Sequence, residues 1–164
     1  RAAGVPVRTV AAGAAGAAGA VRWQVIAPAG VPGGARGEEV NPNDASLVVH
    51  AVVDGMSLLL TGDAEPPEQA QVVRAGVPRA DVLKVPHHGA AEQDPRLLTG
   101  TGAAVAVISV GAGNTYGHPA PRTLAILAGA GMTVARTDRH GPVALVRDDD
   151  GPIRVVVRRP RAGS

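Results

Sequence analysis

The chain has 164 residues, of which 45% are hydrophobic and 18% charged, with a net charge of +2 and no cysteine. That length and apolar content fit one domain with an aliphatic core (there is one Trp, one Tyr and no Phe) and exclude a charge-rich disordered chain. The lack of cysteine excludes disulfides, thiolate zinc sites and thiol catalysis, and so small a net charge does not by itself argue for nucleic-acid binding.

Taken in order, residues 5–10 are a candidate short strand, and residues 11–20, reading AAGAAGAAGA, are expected to form a flexible loop. Residues 1–20 are therefore set apart as a flexible or partial segment. Val21–Ala27 alternates as a strand does, and the Gly/Pro-rich residues 28–40 are expected to be a loop. Residues 46–53 and Met56–Leu60 read as a hairpin around the Asp54-Gly55 turn. Residues 65–75 read as a helix with Pro66 and Pro67 in its first turn, followed by a short strand at 81–85. A short helix or turn is expected at 94–99, and a strand buried on both faces at 104–110. Residues 119–130 predict a helix stopped by Gly131, then a strand at 132–136. A turn at Arg139-His140-Gly141 leads into Val143–Val146, and a second turn at 148–151 into residues 153–158, which together read as a β-meander. The order predicts an α/β chain, an α+β sandwich with helices packed on a mixed sheet. The main unit is placed at residues 21–158, with 159–164 a basic tail; Arg154, Arg158, Arg159 and Arg161 crowd this end. Such a tail either holds phosphates or is a solvated end. No stretch approaches the ~20 apolar residues of a membrane span. The chain opens on Arg1 without a signal peptide, so it is expected to be cut from something longer.

Three segments carry polar residues at strand ends. In Leu58-Leu59-Leu60-Thr61-Gly62-Asp63, an apolar strand ends at a glycine and a carboxylate, where α/β folds place their sites. Asp63 either bridges metal ions or caps the helix that follows. In Val82-Leu83-Lys84-Val85-Pro86-His87-His88-Gly89, two adjacent imidazoles follow a strand. They either hold a metal and contact substrate or are a pair of surface histidines in a loop. In Asn114-Thr115-Tyr116-Gly117-His118-Pro119, a histidine precedes a helix start, which favours anions; His118 either contacts such an anion, as hydrogen-bond donor or general acid, or caps the helix. His50, inside a strand, and His140, in a turn, are set aside. The glycines 111, 113 and 117 imitate a dinucleotide-binding loop, but the third falls one place late for G-x-G-x-x-G, so no nucleotide cofactor is expected.

Together these segments resemble the metallo-β-lactamase superfamily, and within it the C-terminal domain of ComEC-type competence proteins. The matching pieces are Asn43-Asp44-Ala45-Ser46-Leu47-Val48, Leu60-Thr61-Gly62-Asp63-Ala64, Asp81 to Gly89, Ile108-Ser109-Val110-Gly111, Tyr116-Gly117-His118-Pro119 and Arg136-Thr137-Asp138, in the family's order over residues 21–146. The resemblance implies the C-terminal portion of an αββα sandwich with two divalent ions, zinc or manganese, at one edge. It implies that Asp63 bridges the metals and that His88, or else His87, is a ligand, with His87 and His118 facing the substrate phosphate. Asp63, His87 and His118 are thus the expected catalytic residues, and Asp63, His88 and His87 the expected metal residues. The implied function is a nuclease acting on DNA during uptake, outside the cytoplasm and attached to a membrane channel. Alternatives are another phosphodiesterase or a lactonase on the same fold, or a metal-free structural or DNA-contacting remnant. Two departures stand out. The family's His-x-His-x-Asp-His motif is absent, since no two histidines here stand two apart, and Ala90 replaces the usual Ser or Thr after His88-Gly89. Only part of the ligand set is therefore expected, in a half-sandwich that is marginally stable or pairs with a second copy.

Overall fold

The computed structural model describes residues 6–30, 42–148 and 151–157. Within them the chain is a mixed α/β structure. A seven-stranded sheet runs in the order β1 (Ala15–Ala18), β2 (Val21–Ala27), β3 (Val48–Val53), β4 (Met56–Leu60), β5 (Val82–Lys84), β6 (Val105–Ile108) and β7 (Thr133–Arg136). The first four strands are antiparallel and β4 to β7 are parallel.

The parallel half explains where the helices lie. Strand order increases steadily from β4 to β7, so the crossovers α1 (Pro66–Ala75), α2 (Pro95–Gly100) and α3 (Pro121–Gly129) fall on one face by the right-handed crossover rule. There Val72, Leu97, Leu98 and Leu127 meet Leu59, Leu83, Ala106 and Ile108, all fully buried. Prolines open all three helices, at positions where the missing N–H removes no helical bond. Asp94 caps α2 by accepting from the Arg96 N–H at 2.9 Å.

Four expectations need correction. The low-complexity run is not all loop: β1 pairs in register with β2, with Gly16 opposite Trp23. A Cβ at Gly16 would lie 2.5 Å from the Trp23 ring, so only glycine lets the indole lie across this strand. Residues 6–10 form no strand. The expected turn at Arg139-His140-Gly141 is mostly a one-turn helix, α4 (Thr137–His140). The expected meander is broken, because β8 (Val143–Val146) and β9 (Arg154–Val157) form a separate two-stranded sheet. The tail at 159–164 and the side chain of Asp44 lie outside what is described.

The hairpin β8–β9 is fastened at the amino ends of the parallel strands. Arg147 donates to the Gly55 carbonyl at 3.0 Å and to Asp81 at 3.0 Å, while Asp81 also accepts from the Ser57 N–H and hydroxyl at 2.8 and 2.7 Å. Partial burial raises the Asp81 pKa, but the bonds from Ser57 and Arg147 outweigh it and hold the carboxyl below its usual range. A carboxyl depressed on folding stabilises the fold above its unfolded pKa of about 3.9, and the contribution is lost as pH falls through the folded value. Thermal unfolding followed from pH 7 to pH 2 should therefore show the melting temperature dropping below about pH 4. Asp81→Asn should start lower at pH 7 and lose part of that acid step; an unchanged pH profile in the variant would remove Asp81 from the account.

Candidate functional site

The site lies at the opposite end, where β4, β5 and β6 run out into loops. The turn after β4 passes through Gly62, whose φ of 53° suits glycine, and a Cβ there would sit 3.2 Å from the Leu47 carbonyl. The Gly62 carbonyl accepts from the Lys84 ammonium at 2.9 Å and from the His87 N–H at 3.2 Å, while Thr61 donates to the Lys84 carbonyl at 2.6 Å. These bonds lock the two strand-end loops together and present Asp63. Burial pulls the Lys84 pKa below its ordinary value, and the nearby charge of Asp63 offsets only part of that. Asp63 does not cap α1: the N-cap is Glu65, with no side-chain capping bond.

The histidine loop is conformationally unusual. His87 and His88 both have positive φ, 45° and 54°, and Gly89 follows at 82°. Left-handed non-glycine residues cost free energy and persist where the surroundings fix them. Here the surroundings are a buried amide network. Gln93 donates to the Pro86 and Ala90 carbonyls at 3.2 and 3.1 Å and accepts from Gln69 at 3.0 Å. Gln69 in turn donates to the Ala64 carbonyl at 2.8 Å and accepts from the Asp94 N–H at 2.7 Å. The left-handed turn brings both rings to one side, with centroids 6.3 Å apart, where an extended chain would send them to opposite sides.

His88 and Asp63 meet. The Nε2 of His88 is 3.5 Å from an Asp63 carboxylate oxygen, and both side chains are about two-fifths exposed (42% and 40%). The His88 Nδ1 lies 2.5 Å from the Ser109 carbonyl. A carbonyl only accepts, so Nδ1 carries the hydrogen and the ring is turned with Nε2 toward Asp63, the nitrogen that is left to bind a metal. Two ligands about 2.1 Å from one ion at a tetrahedral angle stand about 3.4 Å apart, so this pair fits two positions of a metal site. Among the described residues no group of three or more His, Asp and Glu side chains is arranged to hold an ion.

His87 and His118 also meet, with ring centroids 5.7 Å apart, and the His87 Nδ1 faces Glu65 at 3.7 Å. His118 does not cap α3, whose N-cap is Ala120. It is placed instead by close packing of its loop on the histidine loop. A Cβ on Gly89 would come within 2.7 Å of Pro119, Ala120 N–H donates to the Gly89 carbonyl at 2.8 Å, and Thr123 donates to the Ala90 carbonyl at 2.6 Å. Burial first, then the charges of His87 and His88, hold the His118 pKa below that of an ordinary imidazole, against a weaker opposing pull from Glu92. Beside these rings opens a groove of about 580 Å³ whose walls include His88, His118 and Tyr116.

The remaining histidines are tied to backbone elsewhere. His50 bonds the Arg79 carbonyl at 3.1 Å, and the His140 Nδ1 accepts from the Arg136 N–H at 3.0 Å. Arg136 and Asp138 pair with each other, and Thr137 bonds both backbone groups of Val110, so this segment supports the groove wall. The glycine loop at 111–113 opens no helix, since α3 begins only at Pro121. Sequence reasoning missed Glu65, Lys84, Gln69 and Gln93. For Lys84 a signal was present, a lysine in an otherwise apolar strand; the glutamines give none locally.

No family model matches the chain. Over 108 residues, 65% of its length, it is 34% identical to the ComE operon protein 3 of Bacillus subtilis (strain 168), and it spans 14% of the length of that protein.

Proposed function

We propose that this chain is the C-terminal part of a metal-dependent phosphodiesterase domain that acts on DNA during uptake, within a membrane-attached competence protein and outside the cytoplasm. The observation that carries the reading is the Asp63–His88 pair, 3.5 Å apart at adjacent strand ends, with His88 held in the tautomer that offers Nε2. The similarity to a ComE operon protein supplies the competence context. Asp63 and His88 would hold a zinc or manganese ion, with Asp63 shared between two ions once the remaining ligands are supplied. Bound ions would polarise the phosphate and provide hydroxide near neutral pH. His87 and His118 face the same space and donate N–H groups to the phosphate oxygens. Glu65 orients His87, the Ser109 carbonyl orients His88, and Lys84 fixes the Gly62 turn that presents Asp63. Among the described residues no helix is long and apolar enough to cross a membrane, so attachment would be through other parts of the protein.

Two protein ligands fall short of the three or more that hold a catalytic ion. The purified chain is therefore expected to leave DNA and a nitrophenyl phosphodiester intact. Joined to a segment that carries a His-x-His-x-Asp-His motif, it should hydrolyse both with added zinc or manganese, and Asp63→Ala should abolish this. A joined protein that retains metal yet cleaves neither substrate would overturn the reading. Metal-dependent cleavage by the chain alone, lost in Asp63→Ala, would overturn the view that its site is partial.

A further inference from the structure

The side chain of Tyr116 is out of place for a structural residue. It is the only tyrosine of the chain and is 84% exposed, although an aromatic ring gains much from burial. It is also held where it is. Asn114 accepts from the Tyr116 N–H at 2.8 Å and donates to the His118 carbonyl at 2.8 Å, so the loop is closed on itself with the ring outside. The Tyr116 plane lies 17° from that of His118, with centroids 6.3 Å apart, so the two rings offer similarly oriented flat faces along the groove that reaches His88. Part of the wall is open backbone: a Cβ at Gly111 or Gly113 would meet nothing within 4 Å. Among the described residues no carboxylate lines this groove.

A flat, open, aromatic-edged groove with no carboxylate among its described lining residues fits a nucleobase with its phosphate alongside. We infer that Tyr116 is a base-stacking platform for single-stranded DNA, seating the nucleotide next to the phosphate that His118 faces. The inference rests on the phosphodiesterase reading and adds the form of the substrate to it. In a duplex each base is already stacked and paired, so its face is not offered to a ring on a groove rim; a single strand offers both faces.

The test is binding of a fluorescently labelled single-stranded oligonucleotide to the full chain by anisotropy, at low salt and with chelator present so that no metal contributes. Tyr116→Phe should bind within about twofold of the native chain, and Tyr116→Ala about tenfold or more weakly, the range that loss of one stacked base produces. The ring is solvent-exposed and its backbone bond is retained, so both variants keep the fold. On an oligonucleotide with abasic sites throughout, native chain and Tyr116→Ala should bind alike. Equal binding of the base-containing strand by Tyr116→Ala, duplex binding as tight as single-strand binding, or no binding by the native chain would each overturn the inference. Because these assays exclude metal, they fail independently of the hydrolysis assay: a joined protein that binds through Tyr116 but does not cleave sinks only the hydrolase reading, and cleavage indifferent to Tyr116 sinks only the platform.

Discussion

Gly89→Ala is expected to lower the melting temperature by about 5–15 °C. Gly89 has a φ of 82°, where a Cβ costs about 1–2 kcal/mol. The new methyl would also lie 2.7 Å from the Pro119 Cβ and 3.2 Å from its Cα, closer than carbon atoms tolerate. Pro119 is buried and its ring cannot rotate away, so the loop that carries His118 must shift. Together the two effects amount to about 2–4 kcal/mol, and each kcal/mol moves the melting temperature of a domain this size by roughly 2–4 °C. Gly117→Ala is the control. Its φ is 75°, but a Cβ there meets nothing, so only the conformational cost of about 1–2 kcal/mol applies. Thermal denaturation followed by circular dichroism separates the two. Equal losses in both variants would mean that the Gly89–Pro119 contact contributes nothing.

Gln93→Leu is expected to cost about 2–4 kcal/mol, although the side chains are similar in size. The amide of Gln93 supplies two donors to the Pro86 and Ala90 carbonyls and an acceptor to Gln69. Leucine would leave those groups without partners in a site that is only 6% exposed. Urea unfolding should show a lower midpoint with an unchanged slope. Because Pro86 and Ala90 bracket the two histidines, the loop should also open locally, and exchange of the Ala90 N–H, which bonds the His87 carbonyl at 2.9 Å, should quicken more than the global loss requires. If Ala90 exchange changes only in step with global stability, the network stabilises the fold without positioning the histidines.

The parallel half of the sheet is legible in the sequence because its strands are short aliphatic runs ending in glycine, proline or polar residues. β4, β5, β6 and the helices between them fall where periodicity and proline place them, to within a residue or two at the ends. The candidate site follows for the same reason: residues after the carboxyl ends of adjacent parallel strands converge, so Asp63, His88 and His118 come together though scattered along the chain. What is not legible depends on distant partners. β1 exists because Trp23 lies across Gly16, and no local pattern in an Ala/Gly run announces that. The hairpin β8–β9 has clear strand character, but its separation from β7 is fixed by Arg147 reaching Asp81, 66 residues away in sequence. Gln69 and Gln93 read as surface residues until the backbone carbonyls around the histidine turn are seen to need donors.

The most direct test of the account is calorimetric titration of zinc or manganese into the purified chain, alongside Asp63→Ala, His88→Ala and His50→Ala. Two ligands should give weak but saturable binding, with affinity falling tenfold or more in each of the first two variants and unchanged in the third. Binding that survives both Asp63→Ala and His88→Ala, or that depends on His50, would contradict the account, because the pair at the ends of β4 and β5 would then hold no metal.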